Sequence, residues 1–156
     1  YKSWVSDNVG IVVIVDRDDE DCVVLKSKLE LSAQKVGLVT ASSSSGGCFQ
    51  VLNRIAIEEL EAWFFGDVEA MCTAYPGVPS SLASRVPFRN PDAIKGGTAE
   101  ALHRVLERAG HHSGGLAKVR AAIDISAVMN IESNRSDSFC QFRDGLRRLV
   151  NQKEAN

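Results

Sequence analysis

The sequence has no long apolar run. The longest, from Ile11 to Val15, stops at Asp16. A membrane-spanning helix needs about 20 apolar residues, so no membrane partner is expected. No basic segment followed by an apolar one opens the chain, so no secretory signal is read there. Charge of one sign is also lacking: 18 Lys and Arg against 20 Asp and Glu leave a net charge of -2. That balance excludes a uniformly basic nucleic-acid coat. The four cysteines, Cys22, Cys48, Cys72 and Cys140, form no CxxC pair. Their wide, irregular spacing argues against a disulfide framework, and against a zinc site drawing on Cys22, Cys140 and His111 or His112. Reduced, buried thiols and a cytoplasmic location are the expectation. The GxxxxGK[ST] loop is missing, which argues against intrinsic ATPase activity. GxSxG is missing too, so serine-hydrolase chemistry has no support.

What is present is enough for one domain. There are 156 residues, 44% of them hydrophobic, near the norm for a chain with its own core. Position 1 is Tyr rather than Met, and the chain is expected to lack an upstream strand–helix unit.

Gly10 to Val15 is apolar and β-branched, and reads as a strand buried on both faces of a parallel sheet. An amphipathic helix is expected from Cys22 to Leu31, with Val24, Leu25 and Leu29 inward. A second short strand is expected over Val36 to Thr40, and a polar loop over Ala41 to Gly47. Leu52 to Ile57 begins as a strand and turns into a helix. Ile57, Leu60, Phe64, Val68 and Met71 then form one helical stripe. Tyr75 to Gly97 holds all four prolines and should be irregular, with short helical turns at most. Thr98 caps a helix running to Arg108, and a loop over Gly110 to Gly115 follows. Leu116 to Met129 is helical. Ser136 or Ser138 caps a last helix that carries Phe139, Phe142, Leu146, Leu149 and Val150 on one face, before a polar tail from Asn151. The fold class is therefore α/β, a small and mostly parallel sheet with an appended helical half.

Five acids crowd the six positions from Asp16 to Asp21. Reactive groups in open α/β sheets sit beyond the carboxyl ends of strands, which is where Asp16 and Asp18 fall. Residues two apart in extended chain point the same way, and two carboxylates on one face repel unless a cation joins them. Hard oxygen ligands suit Mg²⁺ or Mn²⁺. Asp21 either adds a ligand or favours the dipole of the next helix. The competing reading is a solvated acidic turn. Glu61, on or beside the apolar stripe, and Glu58, one turn earlier, are second-tier acidic candidates. They would serve as ligands to a second metal or as structural acids, Glu61 paired with Arg54 or Arg143. Lys95-Gly96-Gly97-Thr98 and Gly114-Gly115-Leu116-Ala117-Lys118 each run glycines into a helix start. Such starts hold anions or simply cap, and Lys95, Lys118, Arg120 and Arg135 are candidate phosphate contacts.

Five motifs occur in a fixed order. They are Asp16-x-Asp18-x-x-Asp21-Cys22-x-x-x-Lys26, the run Arg54 to Asp67 (RIAIEELEAWFFGD), Gly96-Gly97-Thr98-x-Glu100-Ala101-Leu102, Gly114-Gly115-Leu116-x-Lys118, and Asn134-Arg135-Ser136-x-Ser138-Phe139. The series resembles a bacterial Toprim-like family of unassigned function, related to OLD-nuclease and topoisomerase–primase Toprim domains. The resemblance runs from about residue 11 to 150. It implies a single Toprim-like domain over residues 1–156 that binds Mg²⁺ or Mn²⁺ through Asp16 and Asp18. It implies a nuclease-type phosphodiesterase acting on nucleic acid, and an effector partnered with an ABC- or AAA-type ATPase in phage defence. In such domains a glutamate on an earlier strand serves as acid/base. The first Glu here is Glu20, so the expected catalytic Glu is absent from the sequence as given and enzymatic activity of the chain alone stays open. The alternative is a non-catalytic binding or regulatory subunit docked on an ATPase. An aspartyl phosphotransferase with Asp16 as nucleophile fits less well, because Glu20 stands where such families place Thr or Val.

Overall fold

A computed structural model describes residues 9–154 except 46, without the side chains of residues 153 and 154. Residues 1–8, where an added strand–helix unit would join, the loop position Gly46 and the end of the expected tail at 155–156 lie outside the described residues. The chain is mixed α/β, and among the described residues two strands lie parallel in one sheet. In order come β1 (Ile11–Asp16), α1 (Cys22–Lys35), β2 (Val51–Ala56), α2 (Ala62–Phe65), α3 (Val68–Ala74), three 3-10 turns between Ser80 and Ala93, α4 (Thr98–Arg108), α5 (Lys118–Ser126) and α6 (Asp137–Glu154). The described chain divides into two compact units. One holds the residues up to Ile55 and those from Gln141, and the other holds Ala56–Cys140.

In the first unit, β1 and β2 are joined through α1, as parallel strands must be joined by a crossover. β1 is not buried on both faces. Its burial alternates, with Val12 and Ile14 on the open face and Ile11 and Val13 packed on Ala33, Leu38 and Val51. Among the described residues the sheet has two strands, and Val12 and Ile14 on its open face are each 38% exposed. Residues 36–40 do not form a full strand: Thr40 makes a single parallel bridge to Val51. The first helix runs a turn beyond Leu31, to Lys35, and Val24 faces out. The last helix consumes most of the expected tail, reaching Glu154. It packs on β2 at Gly145, where a Cβ would meet Leu52 and the Arg54 guanidinium within 3 Å. Phe49, Leu52 and Leu149 form the core there, and Phe49 exchanges two hydrogen bonds with the Gln152 carboxamide.

The second unit holds the larger core, with Phe64, Phe65, Met71, Leu82, Leu102, Leu106 and Ile125 at its centre. The stripe read as one helix is broken at Gly66 and Asp67. Asp67 accepts from the Ala70 amide as the cap of α3, and its other oxygen accepts from the Asn130 amide. A capping carboxylate satisfies amides that an unbroken helix would leave bonded internally. The proline-rich stretch does form short turns, closed over the core by Leu82, Phe88 and Ile94. Leu116 lies before α5 and Met129 beyond it. No helix among the described residues is long and apolar enough to cross a membrane. The cysteines are free thiols but not buried ones: three are half-buried and Cys48 is exposed.

Candidate functional site

In the first unit the acidic turn leaves the carboxyl end of β1. Asp16 is the last strand residue and is exposed. Asp18 is exposed too, and takes a left-handed backbone at φ 48°. A non-glycine residue in that region is uncommon, and Asp is among the few that tolerate it. The extended geometry that would aim Asp16 and Asp18 the same way therefore ends at the strand. Asp21 is the N-cap of α1, its Oδ1 accepting from the amides of Val23 and Val24 at 2.9 and 3.0 Å. Among the described residues no group of three or more His, Cys, Asp or Glu is placed to hold a metal ion. Asp16 and Asp18 stand two residues apart at the start of this turn, and both are exposed.

Lys26, from the same motif, turns inward. Its ammonium donates to the Asn53 carbonyl at 2.6 Å and pairs with Glu30 at 3.0 Å, while the Asn53 amide donates to Glu30 at 3.1 Å. Burial would raise the Glu30 carboxyl, but the polar groups of Thr40 and Asn53 and the Lys26 ammonium together hold it below the usual range. This link between α1 and β2 escaped sequence reading, because Glu30 and Asn53 carry no local signal.

In the second unit three of the five motifs meet around the segment Glu58 to Glu61. Glu59, not a phosphate, occupies the start of α4. Its Oε2 accepts from the Ala99 amide at 2.8 Å and from the Thr98 hydroxyl at 3.2 Å. Gly97 is the cap residue and Thr98 the first helical one, so the Thr98 hydroxyl serves Glu59 rather than capping. Lys118 lies 3.5 Å from Glu59 and 3.4 Å from Glu61. Glu61 is buried and precedes α2, and its ion pair is with Lys118 instead of Arg54 or Arg143. Glu58 is half-buried in a left-handed conformation at φ 63°.

The electrostatics follow from these contacts. Burial pushes the Glu59 carboxyl up, and the Ala99 amide, the Lys118 charge and the Thr98 hydroxyl more than reverse it. Burial disfavours the Lys118 ammonium, and Glu61 and Glu59 overcome that and raise it. A lowered carboxyl contributes stability that is present above its unfolded value of about 4.3 and is lost as pH falls through the lower folded value. Glu59→Gln should therefore cost stability at neutral pH, and the deficit against wild type should shrink between about pH 5 and pH 3. Thermal unfolding of both proteins across that range checks this, and a deficit that stays constant refutes it.

The remaining phosphate candidates are engaged within this unit, apart from one. Arg120 donates to Asp124 at 2.8 Å. The same Asp124 oxygen accepts from the Tyr75 hydroxyl at 2.9 Å, and burial together with that carboxylate pushes the Tyr75 phenol up to about 12. His111 and His112 flank the Tyr75 ring edge-on, and a ring nitrogen of His112 lies 3.1 Å from the hydroxyl. Arg135 donates to the carbonyls of Phe65 and Arg89 at 3.0 and 3.1 Å. Lys95 is exposed. The fifth motif is a brace. Asn134 donates to the Trp63 carbonyl at 2.8 Å and accepts from the Ser136 amide at 2.9 Å. Ser136 caps α6 by accepting from the Phe139 amide, and Asp92 accepts from both Ser136 and Ser138.

A mixed α/β chain with an acidic turn at the end of a parallel strand is the class that fold and site define. A family model described as a domain of unknown function (DUF4276) matches residues 3–147, and the chain belongs to that family. Comparison with curated proteins and with solved structures returns no match in either.

Proposed function

We propose that the chain is a Toprim-like module of an Mg²⁺- or Mn²⁺-dependent phosphodiesterase acting on nucleic acid in the cytoplasm, with Asp16 and Asp18 as the metal-binding pair. The observation that carries this reading is the exposed Asp16 carboxylate at the carboxyl end of a parallel strand, followed by Asp18 in a left-handed turn. Hard carboxylate oxygens fit a hard divalent cation. Such a cation, when bound, would act as a Lewis acid on a phosphoryl oxygen. Asp16 would hold its position through the strand and Asp18 through the turn, while Asp21 steadies the following helix as its cap. No residue of this chain is assigned the acid/base role. An effector role beside an ABC- or AAA-type ATPase in phage defence belongs to the same proposal.

Mn²⁺ titration of the full-length protein followed by plasmid nicking with Mg²⁺ or Mn²⁺ tests it. Wild type should bind and nick, and Asp16→Asn should weaken metal binding at least about tenfold, as expected when one of two charged ligands is removed. Asp21→Asn should leave metal affinity near wild type. Wild type that neither binds nor nicks overturns the reading.

A second reading, a non-catalytic subunit docked on an ATPase, is favoured by α1. There Val23, Val24 and Leu31 are 73%, 52% and 54% exposed. Apolar residues grouped on one exposed helix mark interaction surfaces. A stable complex with an ATPase, formed by a protein still inert with added metal, would support it.

A further inference from the structure

We propose that a cleft in the second unit, between the 3-10 turns and the carboxyl end of α4, binds a small phosphate monoester carried on a single-ring body. The cleft has a volume of about 210 Å³, and Leu82, Arg85, Phe88, Val105, Arg108 and Ala109 are among its lining. Its volume lies below the roughly 300–1,000 Å³ of clefts that take drug-sized molecules, so the ligand is small. The walls are apolar, and Leu82 and Val105 belong to the buried core. Phe88 stacks flat on Phe65, with centroids 5.2 Å apart and planes 6° from parallel, which fixes the ring.

The only charged groups of the lining are Arg85 and Arg108, and both are exposed. Among the described residues neither guanidinium makes a salt bridge. Two cations in a lining that holds no acid favour an anion, and the planar guanidinium fork matches a phosphate. The carbonyl end of α4 opposes this with only about half a negative charge, which two full positive charges outweigh. A phosphate monoester dianion matches the pair better than a monoanionic carboxylate does.

The cleft is also preformed. The Arg85 amide donates to the Leu82 carbonyl, and the Arg85 carbonyl accepts from the Phe88 amide, so its backbone is held on both sides. Arg108 is the last residue of α4. The rim at Gly77 approaches Ala109, and a hydrogen bond between a His111 ring nitrogen and the Pro76 carbonyl at 2.9 Å ties the two edges together. Anchors on fixed backbone reduce the ordering a ligand must impose.

Titration of the full-length protein with phenyl phosphate, followed by methyl NMR shifts of Leu82 and Val105, tests the site without reference to the metal-binding reading. Phenyl phosphate should bind, and benzyl alcohol, inorganic phosphate and benzoate should each bind at least about tenfold more weakly, because each lacks the ring, the anion or the second charge. Arg85→Gln with Arg108→Gln should weaken phenyl phosphate by at least about tenfold and leave the thermal midpoint unchanged, since both side chains are exposed. Ala109→Leu should block binding by filling the cleft. Absence of phenyl phosphate binding, equal binding of inorganic phosphate, or binding unchanged by these substitutions overturns the proposal.

Discussion

Gly66→Ala should destabilise the protein by about 3 kcal/mol, although the local backbone welcomes alanine. Gly66 has right-handed helical angles, φ -65° and ψ -28°, so glycine is not needed there for its freedom. By propensity alone alanine would gain roughly 0.5–1 kcal/mol. The obstacle is Asn134, whose carboxamide occupies the space a Cβ would need. Moving it breaks the bonds to the Trp63 carbonyl and the Ser136 amide, both in buried surroundings. Each buried group left unsatisfied costs about 1–3 kcal/mol. Asn134→Ala alone should cost a similar 2–4 kcal/mol, by the same two losses. In that background Gly66→Ala should become neutral or slightly stabilising. Urea unfolding of the two single variants and the double variant measures the coupling. Costs that add to within about 0.5 kcal/mol would refute the contact as the cause.

Asp92→Ala should cost at least about 4 kcal/mol, and Asp92→Asn roughly half of that. Asp92 is the acceptor on which the start of α6 converges. Its Oδ1 takes the hydroxyls of Ser136 and Ser138 at 2.7 and 3.0 Å, and its Oδ2 takes the Ser138 amide at 3.0 Å. The Ser138 hydroxyl oxygen in turn accepts from the Trp63 indole at 2.9 Å. Hydrogen bonds to a charged group contribute about 1.5–3 kcal/mol each, and an anion at a helix start adds a few tenths to one more. Alanine removes all three bonds. Asparagine keeps one acceptor oxygen but sets an N–H₂ against groups that themselves donate. Chemical denaturation gives the stability loss, and near-ultraviolet circular dichroism of Trp63 reports the broken link. If Asn costs as much as Ala, the acceptor geometry is wrong. If neither costs more than about 0.5 kcal/mol, the brace is not stabilising.

Several elements were legible in the sequence because their causes are local. The β-branched run of β1 forms a strand, Ser136 sits where a short polar side chain caps a helix, and the helix expected from Thr98 to Arg108 is α4 with those bounds. The break between α2 and α3 was missed, because the apolar stripe keeps helical spacing across Gly66 and Asp67. The stripe could not show that Asp67 had a second partner, the Asn130 amide, 63 positions away.

The candidate site divides the same way. That an acidic turn follows β1 is a matter of sequence order alone, and so is the charge balance of -2. Which acids take partners, and which partners, was decided by folding. Asp21 turned back onto its own helix within three residues, whereas Glu59 and Glu61 were drawn to Lys118, and Glu59 also to the start of α4, by contacts 39 to 59 positions apart. Glycine-led helix starts do attract an anion, as their free amides require. At α4 the chain supplies that anion itself, and only the tertiary structure brings it there. Capping and strand formation depend on neighbours a few residues away, so composition and spacing suffice for them. Pairing of charges far apart in sequence depends on which groups the folded chain brings within reach, and no local pattern encodes that.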